Sequence, residues 1–315
     1  MGAVNYSFVM KRLWQYLNLY YLKPFDAVND TLTASLLTSF NWDGDVVELG
    51  SGDGEFTYIM HGGSFPLWFD RYLMVDMGNK DIFDTHKADV VRPERKLNYP
   101  RIRLAVDAKE SHVQKIKEIG FAEEAQVAAY EQLPIADHSV EKIFYYTPHG
   151  LQDHDAALRE ASRILKPGGR MLILRYSEYV KTAFVCYVLS RKMKSRFWAE
   201  YFKKLDNGRH DEISSMARSE KEWIALFAGM GLRILREERG LSPLAWNIYD
   251  IQTRPLLKGL IRFFNLWPRG VRTILKFFWM VCWYPVIFIF YILFSNRIIG
   301  LERKSCYSAF EIVKL

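Results

Sequence analysis

Val46-Val47-Glu48-Leu49-Gly50-Ser51-Gly52-Asp53-Gly54 runs an apolar strand directly into a glycine-rich turn. Val46, Val47 and Leu49 suit a parallel strand covered on both faces. Gly50, Gly52 and Gly54 lack Cβ atoms, so the backbone there turns sharply and lets a ligand come close. The spacing is Gly-x-Gly-x-Gly, not the Gly-x-Gly-x-x-Gly that seats a dinucleotide pyrophosphate on a helix N-terminus. A tight structural turn is the competing reading of three glycines. Glu48 inside the strand and the order of the motifs downstream favour a nucleotide-like cofactor.

Outward from this stretch, strands and helices alternate. Ile102–Asp107 reads as a short apolar strand ending in a carboxylate. Val113, Ile116 and Ile119 then keep helical spacing until Gly120 stops the helix. Gln126–Ala129 reads as a brief strand, Glu141–Tyr146 as another, and Asp155–Leu165 as a helix with Ala157, Leu158 and Ala161 on one face. Lys166-Pro167-Gly168-Gly169 reads as a turn before a buried strand, Met171–Leu174. An amphipathic helix, Lys221–Met230, precedes a strand at Leu232–Leu235. The alternation predicts an α/β fold with an open parallel sheet and helices on both faces. Residues 1–44 predict two short helices that pack on the sheet or cap the cofactor site.

Four pieces, in order, carry a resemblance to the class I S-adenosylmethionine-dependent methyltransferases. They are Glu48–Gly54, Val106-Asp107 before a helix, Leu133-Pro134-Ile135-Ala136-Asp137-His138-Ser139-Val140, and Arg163-Ile164-Leu165-Lys166-Pro167-Gly168-Gly169. The resemblance covers about residues 45–175. It implies a Rossmann-like doubly wound sheet, mostly parallel, closed by an antiparallel last strand within 302–315. The cofactor domain would span 45–250, with 57–100 an insertion beside the acceptor pocket. S-adenosylmethionine is the implied cofactor. Gly50, Ser51, Gly52 and Gly54 would wrap its methionine part, and Glu48 would lie under the loop near its ammonium group. Asp107 would accept from the ribose hydroxyls, Glu131 would lie at the adenine edge, and Tyr146 would line the site. Glu48 as a turn cap and Asp107 as a helix N-cap are the bland alternatives. Ala129 departs from the acidic residue many relatives carry there. The usual gap of roughly 20 residues to the ribose acid would point to Asp76 instead, but the order of the following elements favours Asp107.

Methyl transfer is an in-line displacement, so alignment supplies much of the catalysis. A base is needed only when the acceptor must lose a proton. By resemblance the loop after the fourth strand faces the methyl group, which makes His149 the first candidate base and His154 the second. Tyr176 and Glu178 are further candidates for the pocket lining.

The chain has 315 residues and a formal charge of +7. Between Ile251 and Leu301 there is no acidic residue, whereas Arg254, Lys258, Arg262, Arg269, Arg272, Lys276 and Arg297 lie there and match the whole surplus. Phe277–Phe294 carries no charge and approaches the roughly 20 residues that cross a bilayer. Basic groups flanking so apolar a run suit an anionic membrane surface and not nucleic acid. Pro285 suits a bent, in-plane or re-entrant segment that dips into one leaflet, with a single span as the alternative. The basic flank would keep the catalytic domain on the cytoplasmic side. The three cysteines, Cys186, Cys282 and Cys306, have neither disulfide-framework nor metal-ligand spacing, and no metal is expected.

The sequence thus predicts a membrane-associated S-adenosylmethionine-dependent methyltransferase acting on a lipid or lipid-linked acceptor. An NAD(P)-dependent oxidoreductase, or a non-catalytic membrane adaptor with a degenerate cofactor site, is the alternative.

Overall fold

The computed structural model describes residues 6–37, 40, 42, 44–73, 75–78, 82–84, 102–146, 151, 153–295 and 304–315. Its strands are β1 (Val46–Leu49), β2 (Ile102–Asp107), β3 (Ala122–Val127), β4 (Val140–Tyr145), β5 (Leu165–Tyr176), β6 (Leu232–Arg239) and β7 (Tyr307–Lys314). They form one sheet in the order β3-β2-β1-β4-β5-β7-β6. The pairs among β1 to β5 are parallel, while β7 runs antiparallel between β5 and β6. The fold is therefore a doubly wound Rossmann-like sheet with an antiparallel last strand. The strand order reverses at β1, and ligands of open α/β sheets bind outside the carboxyl ends at that point.

Alternate residues of each strand point to opposite faces, and the two faces have separate cores. Val47, Ile143, Ile173 and Ile312 pack beneath α5 (His154–Ile164) and α9 (Glu220–Gly229). Val46, Phe144, Leu172 and Ala309 face the other core, built with α1 (Tyr6–Leu19), α2 (Pro24–Leu37) and α3 (Glu55–Met60). The other α-helices among the described residues are α4 (Glu110–Ile119), α6 (Val185–Lys192), α7 (Arg196–Asp206), α8 (Arg209–Met216), α10 (Pro243–Ile251), α11 (Leu257–Asn265) and α12 (Arg269–Ser295). Ile116, Ile213, Trp246, Ile261 and Met280, of α4, α8, α10, α11 and α12, join this second core.

Three expectations need correction. The strand expected at Gln126–Ala129 is β3, Ala122–Val127, which starts earlier. Its Glu123 and Glu124 mask it in a hydropathy reading, because it is an exposed sheet edge where charges are tolerated. The turn expected at Lys166–Gly169 lies inside β5, which runs unbroken for 12 residues. Its pairing with β4 absorbs the Pro-Gly-Gly stretch as a register shift between Val140 and Lys142. Finally, α12 continues through Pro285 as one helix of 27 residues. Aromatic packing on both sides of the proline, Trp283 and Phe290 against Phe25, holds it.

Candidate active site

The carboxyl ends of β1 and β4, the glycine loop and α2 enclose a cavity of about 250 Å³. The loop is fixed from below: Gly50 N and Ser51 N donate to Val106 O at 3.0 and 3.2 Å. Gly52 N donates to Asp107 Oδ2 at 2.9 Å, tying the loop to the end of β2. Gly52 has φ +57, and a Cβ there would meet nothing within 4 Å, so the residue borders open space. Gly54 is constrained differently: at φ +77, a Cβ would lie 2.4 Å from the Phe121 ring. It is required by the packing of α3 on α4 and does not line the cavity.

Glu48 is 1% exposed, sits in mid-strand and lines the cavity. Thr57 Oγ1 donates to its Oε1 at 2.6 Å. Its Oε2 has no partner among the described residues. Burial raises its pKa to about 8, with the Thr57 hydrogen bond opposing and the Asp107 carboxylate adding. A buried carboxylate oxygen left open toward a cavity is costly unless a ligand cation or donor completes it.

Asp107 ends β2 and is almost wholly hydrogen-bonded. Its Oδ2 takes Gly52 N and Tyr130 Oη (3.0 Å), and its Oδ1 takes Lys109 N (3.0 Å) and lies 3.0 Å from His112 Nδ1. Asp76 is elsewhere, in a turn where its own Oδ1 accepts from Gly78 N at 2.8 Å. Glu131 follows Tyr130 in the turn after β3 and is half-buried, outside the cavity lining. Tyr146 lines the cavity; its N donates to Leu49 O at 3.0 Å and its ring packs 4.9 Å from Phe56. His149 lies outside the described residues. His154 is the first residue of α5 and is not part of the cavity lining.

Several groups lining the cavity, or paired with residues that line it, escaped the sequence reading. Arg71, in the tract after the glycine loop, reaches back to Asp53 at 2.9 Å and Glu55 at 3.3 Å. Its guanidinium also lies over the rings of Phe83 (4.1 Å) and Tyr20 (4.9 Å). Burial alone would raise Asp53, but Arg71, with Lys115 and His112, outweighs it and holds the carboxyl at about 2. The helix α2 supplies Asp26, Asn29, Asp30 and Thr33, a polar stripe at i, i+3, i+4 and i+7. The spacing of that stripe is visible in the sequence, but not that it faces inward. Arg71 gave none, since its partners are 16 and 18 residues earlier in an aperiodic tract.

A profile of the methyltransferase domain family matches residues 95–173. The match spans β2 to β5, the parallel half of the sheet that carries the Leu-Pro and Lys-Pro-Gly-Gly elements. Residues 95–173 of the chain carry a methyltransferase domain. The cofactor of this domain is S-adenosylmethionine. A curated relative, the ubiquinone/menaquinone biosynthesis C-methyltransferase of Rubrivivax gelatinosus, is 47% identical over 53 residues, 16% of this chain and 21% of that protein. The chain spans about a fifth of the length of the curated relatives it matches. Among solved structures, an S-adenosylmethionine-dependent methyltransferase of Thermotoga maritima is 16% identical with a TM-score of 0.40, covering 72% of this chain and 82% of that one. A geranyl diphosphate methyltransferase in complex with GPP and sinefungin is 11% identical with a TM-score of 0.41, covering 92% and 78%.

The residues around the cavity fit this cofactor on two structural grounds. The open Glu48 oxygen meets the need of an ammonium group, and the space beside Gly52 would be filled by any side chain there.

Proposed function

We propose that the protein transfers a methyl group from S-adenosylmethionine to a lipid or lipid-linked acceptor at a membrane surface. The observation that carries the donor half is the unpartnered Glu48 oxygen in the cavity wall beneath the glycine loop. Glu48 holds the donor's ammonium, and Gly52 leaves room for the methionine backbone. Asp107 faces the ribose once Tyr130 or His112 yields a hydrogen bond to it, and Glu131 stands toward the adenine. When bound, the cofactor supplies an electrophilic methyl on sulfonium. The chain's own work is to align the acceptor and to exclude water, which suits a cavity walled by Tyr146, Tyr176 and Trp246.

The membrane half rests on α12. It is the one helix among the described residues long and apolar enough to cross a membrane, and only 17% of its apolar window is buried. Its amphipathicity is inverted. Arg272 and Lys276 are buried, bonded to Asp70 and to Phe69 O. Val271, Ile274, Phe278, Val281 and Ile289, spaced three, four, three and eight residues apart, are exposed. A water-facing helix is built the other way round. This revises the charge reading: Arg272 and Lys276 serve the protein, Arg254 pairs with Asp250, and the lipid-facing cations are Lys258, Arg262 and Arg269.

Contact with α1 and α2 along its length favours an in-plane helix over a crossing one. Trp279 Nε1 donates to Tyr21 O at 2.7 Å, and Tyr291 Oη lies 3.2 Å from Ser35 Oγ. Moreover β7 follows α12 yet lies between β5 and β6, so a single crossing would divide the sheet. The exposed Phe197 and Trp198 of α7, flanked by Arg191, Lys192, Lys194 and Arg196, extend the same surface. Tyr201 of that helix touches Trp198 and donates to Pro255 O, beside the exposed Leu256. With the basic residues facing anionic lipid, the methyltransferase domain stands on the cytoplasmic side.

The test is to incubate purified protein with methyl-labelled S-adenosylmethionine and fractionated membranes of its host. Label should enter the lipid-extractable fraction. Binding of the donor without any labelled lipid would reject the acceptor class, and no binding at all would reject the whole reading.

A further inference from the structure

The cavity wall facing the glycine loop is made by α2, and it is acidic. Asp26 is already committed, in an ion pair with Lys23 and accepting from Gln252 Nε2 at 2.6 Å. Asp30, 7% exposed, is different: its Oδ1 accepts from Asn29 Nδ2 at 3.2 Å, and it has no ion-pair partner among the described residues. Around it the wall is aromatic, formed by Tyr20, Tyr146, Tyr176, Tyr249, Tyr307 and Trp246. A second, independent feature also asks for a ligand. Trp246 is 3% exposed and lines the cavity, and its Nε1–H has no acceptor among the described residues.

We propose that the methyl acceptor is an amine, bound as its ammonium between the aromatic rings and Asp30, with Asp30 as the catalytic base. This rests on the reading of Glu48 and the glycine loop as the donor's site. Aromatic faces and a carboxylate both attract a cation, whereas a phosphate or carboxylate at this place would meet Asp30 head-on. An oxygen near the reacting nitrogen would satisfy the Trp246 donor.

Burial, and after it the Asp26 carboxylate, raises the pKa of Asp30 to about 7, against hydrogen bonds from Asn29 and Tyr20 and the charge of Lys23. A carboxylate so placed is a better match for an ammonium proton than an ordinary one, and it remains far too weak to ionise an alcohol. The step balances. Asp30 takes one proton from the ammonium, and the freed nitrogen lone pair forms the new bond to the methyl carbon. The carbon–sulfur bond breaks with its electron pair staying on sulfur, and the product is an N-methylammonium.

The experiment uses the full chain in neutral detergent micelles, saturated with S-adenosylhomocysteine. Dodecylamine, dodecanol and dodecanoate, at equal mole fraction, are titrated by calorimetry. The amine should bind at least tenfold more tightly than the alcohol, and the carboxylate least. Asp30→Asn should abolish that preference while leaving S-adenosylhomocysteine affinity within twofold. Glu48→Gln should weaken S-adenosylhomocysteine and keep the preference. Equal binding of amine and alcohol, binding of none of the probes, or a preference that survives in Asp30→Asn overturns the proposal. The wild-type comparison does not depend on any variant folding. Failure of S-adenosylhomocysteine to bind before any probe is added would instead sink the donor site beneath it.

Discussion

If Glu48 holds the donor as proposed, it couples a proton to donor binding. Its folded-state pKa of about 8 lies above the ordinary 4.5, so the ligand-free protein holds that proton at pH 7. A cationic ligand stabilises the carboxylate, and the proton leaves on binding. Calorimetry in buffers of differing ionisation enthalpy should therefore register release of close to one proton at pH 7. In Glu48→Gln the release should be lost, and affinity should fall by about 10- to 100-fold, the worth of a charge-assisted hydrogen bond. The sign for stability is the opposite of the usual carboxylate case. With a raised folded pKa, Glu48's contribution is fully present below about pH 4.5 and is lost as pH rises through about 8. Glu48→Gln should consequently raise the melting temperature at pH 8.5 and change it little at pH 4. At the same scale, Gly54→Ala should be far more damaging than Gly52→Ala to folding. The first drives a Cβ into Phe121, while the second meets only open space and should cost donor affinity.

At the scale of elements, the tract after the glycine loop anchors α12 through Asp70 and Phe69 and brings Arg71 onto Asp53 and Glu55. Removing one partner of a buried ion pair costs about 3–5 kcal/mol, because the other charge stays buried. Arg71→Ala should lose stability of that order in urea melts and donor affinity with it; a loss under about 1 kcal/mol would show the cluster to be solvated. For α12, Ile274→Ser with Phe278→Ser should abolish flotation with anionic vesicles while leaving the melting temperature unchanged, since both side chains face outward.

Elements also show what the sequence made legible. β1, β2, β4 and the helix before Gly120 could be read because apolar spacing and a left-handed glycine at φ +66 mark them. β3 could not, since an edge strand buries little and carries Glu123 and Glu124. The helices α6 to α8 lacked any motif to place them. The glycine loop and Glu48 were readable from local sequence. Asp30 was hidden because a polar stripe on α2 looks solvent-facing until tertiary packing turns it inward.

At the scale of the molecule, β7 joins the long apolar helix α12 back to the sheet. It is the central strand between β5 and β6, and it buries Phe310 and Ile312. A chain ending after residue 303 would leave two unpaired strand edges and an opened core, so it should be insoluble; a soluble, cooperatively melting truncation would contradict that role. The inverted helix has a matching global effect. Because Arg272 and Lys276 point inward, α12 cannot leave the body without stranding Asp70.

One consequence follows from α2, which is shared by both halves. One side of this helix presents Asp30 to the cavity, and the other seats Phe25 against Trp283 and Phe290 of α12. Packed helices lie about 8–10 Å apart. If α12 lies on the membrane as proposed, the reactive chamber rides at a set height above the fatty-acyl boundary, like a hull with a fixed draught. A molecule anchored below could then present its nucleophile only if its tether matched that height, so reach, as much as chemistry, would decide which acceptors are modified.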